Sequence, residues 1–156
     1  ARGSPLAPGA AEAMTHWWRL ALAVEAVGTM DAALQHTVGY LKQRRQFGRA
    51  IGEFQALQHR AAKLFCEIEL TRSAVLHALR AIDAGDPALA AHASMAKARA
   101  CDTATLAVNE AVQLHGGIGM TDEFDIGFFM KRAAALRQIF GDSYFHADRF
   151  AALAGY

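Results

Sequence analysis

Three short stretches carry residues that could do chemistry. In RRQFGRAIGEFQALQHRAA, residues 44–62, two adjacent arginines, an aromatic, two glycines and a glutamine stand where a plain turn needs only a few small residues. A guanidinium fork matches the oxygens of phosphate or carboxylate, and glycine lets a ligand come near the backbone. In QLHGGIGMTDEF, residues 113–124, an amide side chain is followed by Gly116-Gly117-Ile118-Gly119. No strand precedes this stretch and no lysine follows it, so it reads as neither a dinucleotide fingerprint nor a P-loop. The third stretch, Phe140-Gly141-Asp142-Ser143, ends a basic helical run with a glycine and follows it with two good helix caps. A turn that takes a proton needs a base, and Asp142 is the carboxylate offered here.

Each stretch also has a purely structural reading. Arg44 and Arg45 suit a helix C-terminus, where the dipole favours cations, and Gly48 and Gly52 suit a turn. Asp142 reads as an N-cap, Glu25 as a buried acid paired beside Asp31, and Glu123 as a cap or ion-pair partner. The seven histidines show no metal-ligand spacing, and no metal site is expected. Cys66 and Cys101 stand alone and far apart, which fits neither a disulfide framework nor a zinc site. A reducing cytoplasm is the expected compartment.

The elements that must position these residues are helices. From Thr15 onward apolar residues recur at threes and fours with almost no strict alternation. Leu20, Val24, Val27, Leu34, Val38 and Leu41 form a first seam, interrupted by Asp31. Phe54, Leu57, Ala61, Leu64, Ile68, Val75, Ala78 and Ile82 form a second. A third helix runs from about Pro87 to Leu114, a fourth from about Glu123 to Phe140, and a short fifth follows Asp142. The expectation is an all-α, antiparallel up-down helical bundle over residues 15–156, with residues 1–14 a linker or the truncated end of a preceding domain. With a formal net charge of +1 there is no electrostatic case for nucleic acid or anionic lipid. Apolar runs such as LALAV are broken within a few residues, so no membrane insertion is expected.

Taken in order, HTVGYLKQRRQFGRAIGEFQALQHRAA, QLHGGIGMTDEF and MKRAAALRQIF resemble the C-terminal helical domain of the acyl-CoA dehydrogenase family. The fuller run QLHGGIGMTDEFDIGFFMKR with its later FGD looks most like small subunits of heteromeric members, such as the pimeloyl-CoA dehydrogenase small subunit, and the related steroid side-chain enzymes. The resemblance implies α,β-dehydrogenation of an acyl-CoA thioester with FAD as cofactor and electron-transfer flavoprotein as electron acceptor. It also implies a homo- or hetero-oligomer, because FAD in this family lies at a subunit interface. By motif position Arg44 contacts the diphosphate, Phe47 lies against the cofactor and Gln55 lends an amide. Gln113, Gly116 and Gly117 approach the same cofactor.

The resemblance breaks at the residue that names the reaction. Most members begin the last turn with a glutamate base, and here that place is Gly141. Asp142 comes one position late and one methylene short. Members that put the base on the first long helix have it where Trp18 stands, and Glu25 lies on about the same face, two turns and roughly 10 Å further along. The family's N-terminal helical domain and middle β-domain cannot fit before Thr15, so the chain reads as a fragment, inactive by itself. Three readings stay open: a dehydrogenase subunit whose partner supplies the base, a non-catalytic assembly subunit, or a helical interaction module.

Overall fold

A computed structural model describes residues 9–156. Its five helices are α1 (Ala10–Gln43), α2 (Gln55–Asp83), α3 (Leu89–His115), α4 (Ile126–Gln138) and α5 (Ser143–Leu153). Helices consecutive in the chain run in opposite directions, whereas α1 and α3 pack side by side in the same direction, with Leu41 and Leu114 meeting at their C-terminal ends. Asp31 of α1 meets Arg72 of α2, Arg60 and Glu67 of α2 meet Glu110 and Arg99 of α3, and Lys97 of α3 reaches Leu136 of α4. The all-α bundle expected from the periodicity is present.

Helix α3 lies at the centre and packs against all four others. Ala93, Ala96, Ala100, Ala104, Ala107 and Ala111 recur on it at threes and fours, all buried, and such a stripe of small side chains lets neighbouring backbones approach closely. Larger residues of α1 and α2 fill the space around it. Leu20, Met30, Leu64 and Ile68 are almost fully buried, and each contributes on the order of 2 kcal/mol of apolar burial.

The structure departs from the periodicity in several places. Helix α1 starts at Ala10, inside the stretch expected as a linker, because Ala10, Ala11, Glu12, Ala13 and Met14 are all strong helix formers. Residues 1–8 of that stretch lie outside the described residues. Val24 faces solvent, and Ala23, Met30 and Thr37 complete the buried seam instead. Helix α3 begins two residues after Pro87, where the Asp86 carboxylate accepts from the Ala88 N–H at 2.8 Å. Helix α4 begins at Ile126, so Glu123 lies in the turn before it and caps nothing. Its carboxylate has no ion-pair partner among the described residues. Two two-residue strands, β1 (Arg45–Gln46) and β2 (Arg49–Ala50), also form an antiparallel ladder with Arg45 opposite Ala50. No helix of the described residues is long and apolar enough to cross a membrane.

Candidate cofactor-binding end and the turn opposite

The first chemical stretch is a tight hairpin standing on the end of α1. Helix α1 stops where Arg44 turns to an extended conformation, its N–H still donating to the Tyr40 carbonyl at 2.8 Å. The loop between β1 and β2 is Phe47-Gly48, both left-handed, with φ of 54° and 82°. Two positive φ values match the twist of a two-residue hairpin, but an aromatic residue there is strained. Phe47 is 88% exposed, meeting Phe54 edge-on at 6.1 Å between ring centres. The Arg49 guanidinium lies 4.0 Å over the Phe54 ring. Arg44 and Arg45 are exposed and have no ion-pair partner among the described residues, and Gln55 opens α2 beside them. Gly52 is required by close approach, since a Cβ there would sit 2.9 Å from the Leu41 carbonyl oxygen.

The second stretch leaves α3 at the same end. Gln113 is exposed on the last helical turn, and Gly116 breaks the helix at φ 68°, ψ −147°, a conformation essentially reserved for glycine. Gly117 is exposed with open space where a side chain would be. Residues 116–120 then form a short 3-10 turn. Leu41, Ile51 and Leu114 make one buried cluster that ties the hairpin to the end of α3. Below it His115 stacks on Tyr40 at 4.5 Å, and its Nδ1–H donates to the Ala111 carbonyl at 2.7 Å. Burial lowers the His115 pKa, against the effect of that hydrogen bond. Arg44, Phe47, Gln55, Gln113, Gly116 and Gly117 thus share one end of the bundle.

The base candidates lie elsewhere. Trp18 and the turn at residues 139–142 belong to the opposite end, and Arg44 and Trp18 are about 40 Å apart along α1. Glu25 is exposed rather than buried, and it pairs with Arg132 of α4, whose Nε and Nη2 both lie 2.5 Å from its Oε1, instead of standing beside Asp31. Its place on the outward side of α1 explains the difference, because α4 crosses there. Asp142 caps α5, accepting from the Phe145 N–H at 3.0 Å. Both carboxylates therefore have structural partners.

Gly141 is more than an absent glutamate. Phe140 and Gly141 have φ of 60° and 103°, and a Cβ on Gly141 would fall 2.4 Å from Cδ1 of Phe145 and 3.1 Å from Nε2 of His146. The turn is closed to any L side chain in this conformation. Gly141→Ala is expected to lower stability by about 2 kcal/mol or more, read as a lower urea midpoint. A midpoint equal to wild type would mean that the turn opens freely.

Behind this turn sit two buried basic side chains that the sequence reading passed over. Lys97, 2% exposed, donates from Nζ to the Leu136 carbonyl at 2.7 Å, the Gly141 carbonyl at 3.2 Å and Cys101 Sγ at 3.1 Å. Burial pushes the Cys101 thiol up, so a neutral S–H stands beside the ammonium. His146, fully buried, donates from Nε2 to the Phe140 carbonyl at 2.9 Å. Burial lowers its pKa to about 4, with Arg19, Lys97 and Arg149 pushing the same way. A lysine three residues after a buried Ser94 and four before Cys101, on an otherwise alanine-lined face, was the available signal.

The fold and these two ends define an all-α domain that offers cationic and glycine-rich loops at one end and a sealed turn at the other. The family model for the acyl-CoA dehydrogenase C-terminal domain matches residues 9–153, and the chain belongs to that family. It is 44% identical over 118 residues to the acyl-CoA dehydrogenase IpdE2 of Mycobacterium tuberculosis, covering 76% of this chain and 35% of that one. Among solved structures it is similar to a variant of the Tcur3481-Tcur3483 steroid ACAD, with TM-score 0.91 and 32% identity, covering 96% of this chain and 41% of that one. It is also similar to PigA with FAD and proline, with TM-score 0.85 and 26% identity, covering 90% and 37%. The chain spans about a third of the length of the curated relatives it matches.

Proposed function

We propose that this chain is the C-terminal domain of a flavin-dependent acyl-CoA dehydrogenase, that it grips the diphosphate end of FAD, and that a carboxylate from another subunit removes the α-proton. The carrying observation is the meeting of the two loop motifs at one end, joined through Leu41, Ile51 and Leu114, while the family's base position lies at the far end.

The residues present fit the cofactor. Arg44 is exposed and offers a bidentate fork for phosphate oxygens. Phe47 holds an exposed ring in a strained conformation, which only a fixed surrounding or a bound group makes worth keeping. Gly116 and Gly117 leave the backbone open to close approach. Bound flavin supplies the acceptor for the β-hydride. The chain's own part is to bind and orient, with Gln55 at the start of α2 and Gln113 at the end of α3 offering amides.

The separation of about 40 Å between Arg44 and Trp18 supports an oligomer. Cofactor contacts at one end and the reacting turn at the other serve different active sites in such an assembly. That the similar solved ACAD carries a paired designation supports a heteromeric arrangement. Membership of the family supports acyl-CoA as the substrate and electron-transfer flavoprotein as the electron acceptor. Two free cysteines suit a reducing, cytoplasmic location.

Arg44→Ala in the assembled protein is expected to weaken flavin binding tenfold or more. A hydrogen bond to a charged group is worth about 1.5–3 kcal/mol, and tenfold in affinity is about 1.4 kcal/mol. A fluorescence titration with FAD reads this directly, and wild-type affinity in the variant would sink the diphosphate assignment. Glu25→Gln and Asp142→Asn should leave both flavin and turnover in place. Loss of turnover in Glu25→Gln alone, with flavin still bound, would put the base on α1 of this chain.

A further inference from the structure

Four buried side-chain polar atoms lack a hydrogen-bond partner among the described residues: Arg19 Nε of α1, Ser94 Oγ of α3, and His146 Nδ1 and Arg149 Nε of α5. Helix α3 packs against both α1 and α5, and the charges of Arg19 and Arg149 both act on His16 and His146. Of the two arginines, Arg19 is the one without an ion pair among the described residues. It is 8% exposed, and its one side-chain contact is a 3.5 Å bond from Nη1 to His16 Nδ1. A guanidinium has five N–H donors, and one enclosed in protein normally faces a carboxylate. None lies within 4.0 Å of it among the described residues. Glu12, the nearest acid in sequence, is 66% exposed and is already shared between His16 Nε2 at 3.7 Å and Arg149 Nη2 at 3.3 Å. Residues 1–8, ARGSPLAP, contain no Asp or Glu.

The junction therefore holds two guanidinium groups against one largely exposed carboxylate. His16 adds no charge, because burial, Arg19 and Arg149 lower its pKa. His146 adds none either, since burial lowers its pKa to about 4, which leaves Nδ1 without a proton at pH 7. Such an excess of positive charge around a buried guanidinium is unfavourable unless an anion joins it. Arg149, 28% exposed in its side chain, leaves a way in from the surface.

We propose that Arg19 and Arg149 form a receptor for one carboxylate group at the junction of α1, α3 and α5, with Ser94 Oγ as an additional donor. This does not rest on the flavin reading, since the junction lies at the end of the bundle away from Arg44. The carboxylate is either a free small-molecule anion or an acidic side chain presented by protein outside this chain.

The test is thermal unfolding of the 156-residue chain at pH 7 in sodium acetate, against sodium chloride at matched ionic strength, for wild type and Arg19→Met. Wild type should show a saturable upward shift of about 3 °C in acetate near ten times its Kd, absent in Arg19→Met. Without acetate, Arg19→Met should melt at or above the wild-type temperature, because the uncompensated charge is gone. No acetate shift beyond chloride, the same shift in Arg19→Met, or a fall of several degrees in acetate-free Arg19→Met would each overturn the proposal. In the native assembly purified from source cells, an acetate shift that persists identifies a free anion as the occupant. Loss of that shift together with destabilisation by Arg19→Met identifies a protein carboxylate, and neither effect in the assembly overturns the receptor.

Discussion

Lys97→Met should lower the stability of the chain by about 3–5 kcal/mol and its melting temperature by roughly 10 °C. Methionine fills nearly the same volume, so the loss is electrostatic and not a cavity. Removing a buried charge relieves desolvation, and where every partner is replaced as well the exchange can even stabilise. Here the partners are backbone carbonyls of Leu136 and Gly141, which no side-chain change can remove. Each carbonyl left without a donor costs about 1–3 kcal/mol, so the unsatisfied acceptors win. Urea unfolding of both proteins measures the difference, and a change within 1 kcal/mol would show that water takes over the two bonds.

Acidification from pH 7 to 4 should remove on the order of 3 kcal/mol through His146 alone. Its folded pKa, about 4, lies below the ordinary 6.5, so between those values the unfolded chain binds more protons than the folded one. Stability therefore rises with pH across that window: the contribution is complete above pH 6.5 and is lost as pH falls towards 4. His16 and His115 shift in the same direction and add to the slope. His146→Gln keeps a donor for the Phe140 carbonyl without a titrating group, and its stability should depend much less on pH between 6.5 and 4. Equal slopes in the two proteins would move the acid sensitivity elsewhere.

The bundle was legible because Leu20, Val27, Leu34 and Leu41, and Leu64, Ile68 and Val75, are large apolar residues at helical spacing. The centre of α3 was less so, since alanine is equally at home on a surface and only the packing shows that six of them form its buried stripe. The two loop motifs could be placed at matching ends by counting helices, and the structure brings them together. The hairpin inside the first was invisible to periodicity, because strands of two residues have no period to read. Gly141 was read as a missing side chain, but its left-handed backbone and the neighbouring Phe145 ring come from how α5 docks, which no local pattern encodes. Lys97 and His146 were missed for a related reason. A lone lysine or histidine in a helix is expected at the surface, and their acceptors, the carbonyls at the end of α4, lie about forty residues and six residues away in sequence.

The central place of α3 also governs how this chain is made. During synthesis α1 and α2 emerge first, and the seams they carry find their main partner only when α3 follows. At 5–20 residues per second, the 27 residues of α3 take roughly 1–5 s to appear. For that interval Leu20, Met30, Leu64 and Ile68 belong to a half-built hairpin with no alanine stripe to lie against. The nascent chain is then most exposed to chaperones and to wrong partners.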